Sequence, residues 1–329
     1  MRRWLPFVVS GAIVAFALHV LYGTVQRIDF RDVLSHLGTI PLESVVLAAL
    51  FAATVYLTLA TYEAIVARFV DGPVSGRRAA LTALIATPIG HAIGWGALSG
   101  GAVRYRLYAA VDMRPLDIGR MVLYVAMPYA AALGLLLGLA LVLRADEAAE
   151  LLRVQADLAR GSGLALLALH AAYIVLVLRR RAPVQVGRIW FRLPPPNLTA
   201  VQYVIGITEV CCAAGVLYVL LPASVELPFL AFVAVYVLAI LAGLASSVPA
   251  GLGVFESMLL VLLPQVPPEQ LLGAALVYRL LLSVAPLAFA LLLFGAYETW
   301  SRLPEQRRRA AERAAARAAR DERVERDER

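Results

Sequence analysis

At 329 residues, with 61% hydrophobic and 16% charged residues and a mean hydropathy of +0.78, this chain is too apolar for a soluble domain of its size, and lipid is its expected solvent. Its net charge of +7 is carried by short segments between apolar spans and by the tail, a positive-inside pattern and not a nucleic-acid-binding one. The basic residues are all Arg, with no Lys, which excludes a Schiff base, a lysine nucleophile and a P-loop lysine.

In chain order, Met1-Arg2-Arg3 followed by Trp4 to Tyr22 is expected to be an uncleaved first membrane helix. Its apolar part exceeds a signal-peptide core and lacks an A-x-A-like site. A membrane crossing needs about 20 residues. By that measure clear spans fall near 4–23, 44–69, 117–143, 162–178, 200–221, 228–247 and 271–297. Two further apolar stretches, 80–103 and 248–264, are cut by Gly and Pro clusters into pieces too short to span alone and are expected to be broken or re-entrant helices. The chain is thus predicted to be all-α, a polytopic integral membrane helix bundle with about eight membrane segments including those two elements.

Arginine placement predicts the topology. Arg2 and Arg3, Arg68, Arg77 and Arg78, Arg104 to Arg120, and Arg179 to Arg192 fall on the cytoplasmic side, while 26–43, 145–160 and 222–226 are mixed or acidic and fit the outer side. Both termini are then cytoplasmic, provided that 80–103 enters and leaves from one side. Residues 29–42 and 147–158 carry helix-like apolar spacing suited to the interface, or are ordinary connections. From Ser301 the chain turns to Arg, Glu and Ala, so we divide it into a membrane domain over 1–300 and a cytoplasmic tail over 301–329. The tail is either a solvated end or a site for anionic lipid or a partner. Cys211 and Cys212 are adjacent in an apolar helix and indicate neither a disulfide nor a zinc framework.

The interruptions are the informative features. Irregular backbone at membrane depth is tolerated only where protein or a water-filled cavity satisfies the freed N–H and C=O groups, so such breaks mark binding sites. They occur at Pro88 to Gly101 and at Val248 to Glu256. The segment from Gly100 and Gly101 through Arg104, Tyr105, Arg106 and Tyr108 places two guanidinium groups and two phenols after a flexible break. Arg binds phosphate bidentately, and Tyr favours the headgroup region. These six are the candidate headgroup-binding residues, with positive-inside anchoring as the plainer alternative.

Ionisable groups inside spans are costly, by about 2.5–3.5 kcal/mol for Asp, Arg or Lys at a helix centre on insertion scales, and call for a partner or a task. Glu63, His91, Glu209, Glu256 and Arg279 are such groups. With Pro249, Gly251 and Gly253 they form the candidate path-lining or ion-paired set. Arg279 is the natural counter-ion of Glu209 or of Glu256, either as an interhelical brace or as part of a lipid or proton path. Gly251, Gly253 and Gly100 let an anion approach a half-helix N-terminus, or serve close helix packing. His91 is a proton shuttle or a hydrogen-bond partner of the broken backbone. No nucleophile elbow, HExxH or CxxC is present, so no catalytic residue, metal site or cofactor is expected.

On these residues the chain resembles the membrane region of the lysylphosphatidylglycerol synthase/flippase proteins, the multiple peptide resistance factors, and the wider group of stand-alone flippase-like membrane proteins. His91-Ala92-Ile93-Gly94 through Leu98-Ser99-Gly100-Gly101-Ala102-Val103-Arg104-Tyr105-Arg106-Leu107-Tyr108 looks like the family's first block. Pro249-Ala250-Gly251-Leu252-Gly253-Val254-Phe255-Glu256 looks like the second, where the family usually has Pro-Gly-Gly. Tyr278-Arg279 ahead of Pro286 is similar to a final-helix motif, and Tyr62-Glu63 stands where a Tyr-Asp pair is common. The resemblance implies an inner-membrane flippase moving anionic or aminoacylated phospholipid between leaflets, with no synthase domain and no enzyme activity of its own. The alternative is a non-transporting membrane partner or regulator of a separate lipid synthase. Membrane phospholipid is the expected partner, with a separate synthase and self-association as further candidates.

Overall fold

Leu, Ala, Val and Ile dominate the spans, and in lipid their backbone groups must be satisfied within the segment, which makes them helices. The computed structural model describes residues 40–299, except 71, 94–95, 180–183, 187–188, 192, 223–226 and 247. The expected first span, 4–23, and the tail, 301–329, lie outside the described residues.

Helix α1 is Leu42–Phe69, α2 Gly76–Ile93, α3 Gly96–Ala109, α4 Pro115–Leu143, α5 Ala145–Leu152 and α6 Ala156–Arg179. After it come α7 at Pro196–Tyr218, α8 at Phe229–Ala245, a 3₁₀ turn at Pro249–Gly251 and α9 at Val254–Leu262. The last described helix, α10, runs over Pro268–Thr299 with a π-helical turn at Leu280–Val284. Between α6 and α7 the strands β1 (Val184–Val186) and β2 (Ile189–Phe191) pair antiparallel, a small hairpin in a fold that is otherwise helical. Arg-rich sequence with alternating Val, Ile and Phe suits a short ribbon better than a helix end.

Five of the described helices, α1, α4, α6, α7 and α10, are long and apolar enough to cross a membrane, and α8 is a shorter apolar helix. The expected count of about eight also included span 4–23, outside the described residues, and the two interrupted stretches. Both predicted interruptions are present: 80–103 is split between α2 and α3, and 248–264 begins as a 3₁₀ turn before α9. The predicted interfacial stretch 147–158 holds the end of α5 and the start of α6.

The core is built where helices cross. Its largest cluster joins α1, α4, α7, α8, α9 and α10, with Leu217, Phe232, Val237, Leu259 and Leu271 fully buried. By contrast α6 exposes Leu158, Leu164, Leu169, Ile174 and Leu178, an outer surface suited to acyl chains. Small residues set the closest approaches, as expected when lipid removes the hydrophobic drive between helices. A Cβ at Gly206 of α7 would lie 2.1 Å from the Pro128 carbonyl oxygen of α4. A Cβ at Gly163 of α6 would lie 2.8 Å from the Gly138 carbonyl oxygen. Helices α2 and α3 pack on each other, and the Pro249–Gly251 turn packs against α2, so the two interruptions face one another.

Candidate functional site

Each interruption is held by one arginine. In the first, Arg104 of α3 reaches across to α1, where its Nε donates to Glu63 Oε1 at 2.9 Å and its Nη2 to Glu63 Oε2 at 2.7 Å. Nη2 also donates to Thr87 Oγ1 of α2 at 3.0 Å, and Tyr108, one turn after Arg104, donates to Glu63 Oε1 at 2.6 Å. Glu63 and Tyr108 are fully buried and Arg104 is 5% exposed. Two parallel guanidinium bonds plus a phenol satisfy the carboxylate, the condition under which a buried charge is tolerated. Gly100 makes room for this arrangement: a Cβ there would stand 3.0 Å from Arg104 Nη1 and 3.2 Å from the Ala86 carbonyl oxygen.

In the second, Arg279 of α10 donates from Nε to Glu256 Oε1. It also donates from Nη1 to the Ala250 carbonyl at 3.1 Å and from Nη2 to the Gly251 carbonyl at 3.4 Å. Glu256 Oε2 accepts from the Gly253 N–H at 2.9 Å, which caps the start of α9. The turn needs this support because Ala250, Gly251 and Gly253 all have positive φ, at +54°, +60° and +82°. Ala250 carries that strain where glycine would not, at a cost of roughly 1–2 kcal/mol. Its carbonyl and that of Gly251 are turned to the guanidinium, so the break's orphan acceptors are satisfied by one side chain from a distant helix. Arg279 also sits 5.8 Å from the centroid of Phe255, which stacks on Tyr278 at 5.4 Å.

Just beyond Arg279 the π-helical turn loosens the ladder of α10, and Tyr56 of α1 donates to the Leu282 carbonyl at 2.8 Å. Such single π turns recur at functional sites because they free a carbonyl and re-aim side chains.

Between the two interruptions lies a cavity of about 560 Å³. Its wall is mainly apolar, from Val55 and Leu59 to Val125, Ala213, Ile240 and Leu287. Polar groups reach it at Thr87, His91, Arg104, Tyr129, Glu209, Tyr236, Tyr278 and Arg279. A mostly apolar pocket with a few convergent polar groups is the usual form of a ligand site.

Of the predicted headgroup set, only Arg104 lines the cavity. Arg106 is paired with Glu298 at 2.8 Å, Tyr108 is spent on Glu63, and Tyr105 is half exposed. A Cβ on Gly101 would meet Val122 of α4 at 3.4 Å, so this glycine serves helix packing. Of the predicted path set, His91, Glu209, Gly251 and Arg279 line the cavity, whereas Glu63 and Glu256 stand behind their arginines. Pro249 opens the 3₁₀ turn, and Gly253 supplies the N-cap of α9. Residues not singled out in the sequence are Tyr56, Thr87, Tyr129 and Tyr236. The signal that three of them did carry was a tyrosine well inside an apolar span, away from the interface where Tyr is common.

This arrangement defines a polytopic membrane protein with a central cavity framed by two interrupted helices. The chain belongs to the family of the uncharacterized protein slr0712 of Synechocystis sp. (strain ATCC 27184 / PCC 6803 / Kazusa), to which it is 30% identical over 257 residues, covering 77% of this chain and 79% of that protein. It is also similar to the phosphatidylglycerol lysyltransferases of Staphylococcus aureus strains MSSA476 and MRSA252, at 25% identity over 292 residues and 24% over 290. Both likenesses cover 86% of this chain, but the chain matches only 33% of the length of those enzymes. No family model matches the sequence.

Proposed function

We propose that this protein is a phospholipid translocator of a bacterial inner membrane, which passes a headgroup through the cavity while the acyl chains remain in lipid. The observation that carries this reading is the cavity itself: an apolar chamber between two broken helices, with the guanidinium groups of Arg104 and Arg279 and the carboxyl of Glu209 in its wall. A headgroup leaving water needs charged partners already in place, and a straight-helix bundle has no reason to hold them at this depth. In this reading the two interruptions are re-entrant, the full count reaches about eight segments, and both termini face the cytoplasm.

The likeness to proteins named phosphatidylglycerol lysyltransferases makes phosphatidylglycerol and its lysyl form the first lipids to try. Translocation is the whole activity proposed, with no chemistry on the lipid and with transport either downhill or coupled to protons through carboxylates. The test is leaflet transfer of fluorescent phosphatidylglycerol and lysyl-phosphatidylglycerol in proteoliposomes, with wild type against Arg104→Ala and Glu256→Gln. Transfer by wild type that is lost in folded variants supports the path. Absence of transfer by folded wild type, with and without a proton gradient, refutes it and favours the role of a partner to a separate synthase.

A further inference from the structure

We propose that the π-helical turn at Leu280–Val284 is a hinge latched by Tyr56, and that residues 285–299 of α10 swing about it together with α2 and α3 to open and close the cavity. This deepens the translocator reading and rests on it only for what passes when the cavity opens.

Packing divides α10 at that turn. Its first part buries Leu271, Ala274, Val277 and Tyr278 in the large cluster with α1, α4, α7, α8 and α9. Its second part buries Leu287, Ala290 and Phe294 in a separate cluster whose other described members come from α2 and α3. Among the described residues the two clusters share no buried member. Arg106 of α3, paired with Glu298 at 2.8 Å, ties the far end of α10 into the second body. A helix shared by two packed bodies must absorb any movement between them where it passes from one to the other. In α10 that stretch is 280–284, and none of its five residues is buried.

The backbone at this point is suited to bending. Pro286 has no N–H, so the Leu282 carbonyl lacks its regular α-helical donor four residues on. The turn widens, and the Ala285 N–H donates to the Leu280 carbonyl. Tyr56 of α1, packed on the large cluster, donates its hydroxyl to the Leu282 carbonyl at 2.8 Å. One side chain of the first body thus supplies the bond that the helix lacks. Breaking it frees the bend without unwinding a helix.

The cavity lies where the two bodies meet. Val55, Ala213 and Tyr236 line it from the large cluster, Ala92 and Leu287 from the second, and Leu282, Ser283 and Val284 of the hinge stand in its wall. At their other ends α2 and α3 are anchored to α1 and α4 through Val74, Ala79, Tyr108 and Met113. The Arg104–Glu63 pair, one turn from Tyr108, belongs to that anchor. The swing is therefore largest at the interrupted tip, where α2 meets the Pro249–Gly251 turn, and opening parts the two interruptions.

The test is pulsed electron–electron distance measurement on the purified full chain in detergent, in a Cys211→Ala and Cys212→Ala background. Spin labels go on Leu272→Cys and Leu292→Cys, exposed positions on either side of the turn, about 30 Å apart by helix rise. Labels on Leu47→Cys and Val204→Cys, exposed positions on α1 and α7, are the control within the large body. Tyr56→Phe should raise the population of a second, bent distance in the α10 pair by about fivefold relative to the first, the effect of one lost buried hydrogen bond. Pro286→Ala restores the helical donor and should leave a single distance, while the control pair stays unchanged in both variants. A distance that neither variant shifts overturns the hinge, and so does an equal shift in the control pair. If Tyr56→Phe does not fold, the comparison of wild type with Pro286→Ala decides alone. Leaflet transfer by the same proteins separates the two readings. A moving hinge without transfer sinks the translocator and leaves the hinge standing; transfer at the wild-type rate by Pro286→Ala with its single distance overturns the hinge and leaves the translocator.

Discussion

Arg104 and Glu63, 41 residues apart on different helices, meet as a bidentate pair with N···O distances of 2.9 and 2.7 Å, and neither is exposed by more than 5%. The pair ties the first interrupted element to α1 while one of its members forms cavity wall. Packing and site are therefore the same contact.

Removing one partner should be worse than removing both. Arg104→Met leaves Glu63 buried with its charge uncompensated and is expected to cost about 3–5 kcal/mol. The double change Arg104→Met with Glu63→Gln leaves no buried charge at this point and should recover much of that loss. Thermal or denaturant unfolding in detergent checks this, and a double variant as unstable as the single one would contradict it.

The second arginine is a tether for a strained turn. Arg279→Met removes the donors to the Ala250 and Gly251 carbonyls, leaving orphan acceptors whose desolvation costs about 1–3 kcal/mol each when they stay buried. Residues 248–253 are expected to open locally, and hydrogen exchange there should rise at least about tenfold, as a local cost of about 1.4 kcal/mol implies. Exchange in α1 and α4 should change little.

Ala250 carries a conformational penalty that glycine does not. With φ at +54°, Ala250→Gly relieves roughly 1–2 kcal/mol of strain and loses about 0.4–1 kcal/mol through the freer unfolded chain. A net stabilisation of about 0–1.6 kcal/mol is expected from the difference of those terms. Ala250→Val puts a β-branched side chain in the same region and should destabilise. Melting temperatures of the three proteins settle the order.

Gly206 is required by contact, not by backbone angle. Because a Cβ there falls 2.1 Å from the Pro128 carbonyl oxygen, Gly206→Ala must force α4 and α7 apart, an overpacking cost of about 1–3 kcal/mol. Gly119 is also helical, but a Cβ at that position would meet nothing within 4 Å, and it is the control: Gly119→Ala should be neutral or stabilising by up to about 1 kcal/mol. Equal effects at the two positions would refute the account.

How much of this was legible beforehand follows from which interactions are local. Helix identity was legible because a run such as 117–143 must satisfy its own backbone in lipid, and the observed α4 matches it closely at Pro115–Leu143. The interruptions were legible because Gly and Pro act on the residues next to them: the breaks between α2 and α3 and before α9 fall inside the two predicted segments. The hairpin between α6 and α7 was not, since its six paired residues are too few to set a period against their Arg-rich flanks.

Composition, hydrophobic period and backbone breakers thus determined, from the sequence by itself, that this is a membrane helix bundle with two interrupted elements and a short set of buried ionisable residues. Pairing was decided only by the tertiary structure. Arg279 could have met Glu209 or Glu256, and Glu63 had no partner assigned, because ion pairs join residues that sequence distance does not relate. The crossing angles and close approaches of the helices place Glu63 against Arg104 and Glu256 against Arg279. They leave Glu209 facing a cavity that exists only between helices and so is written in no single one of them.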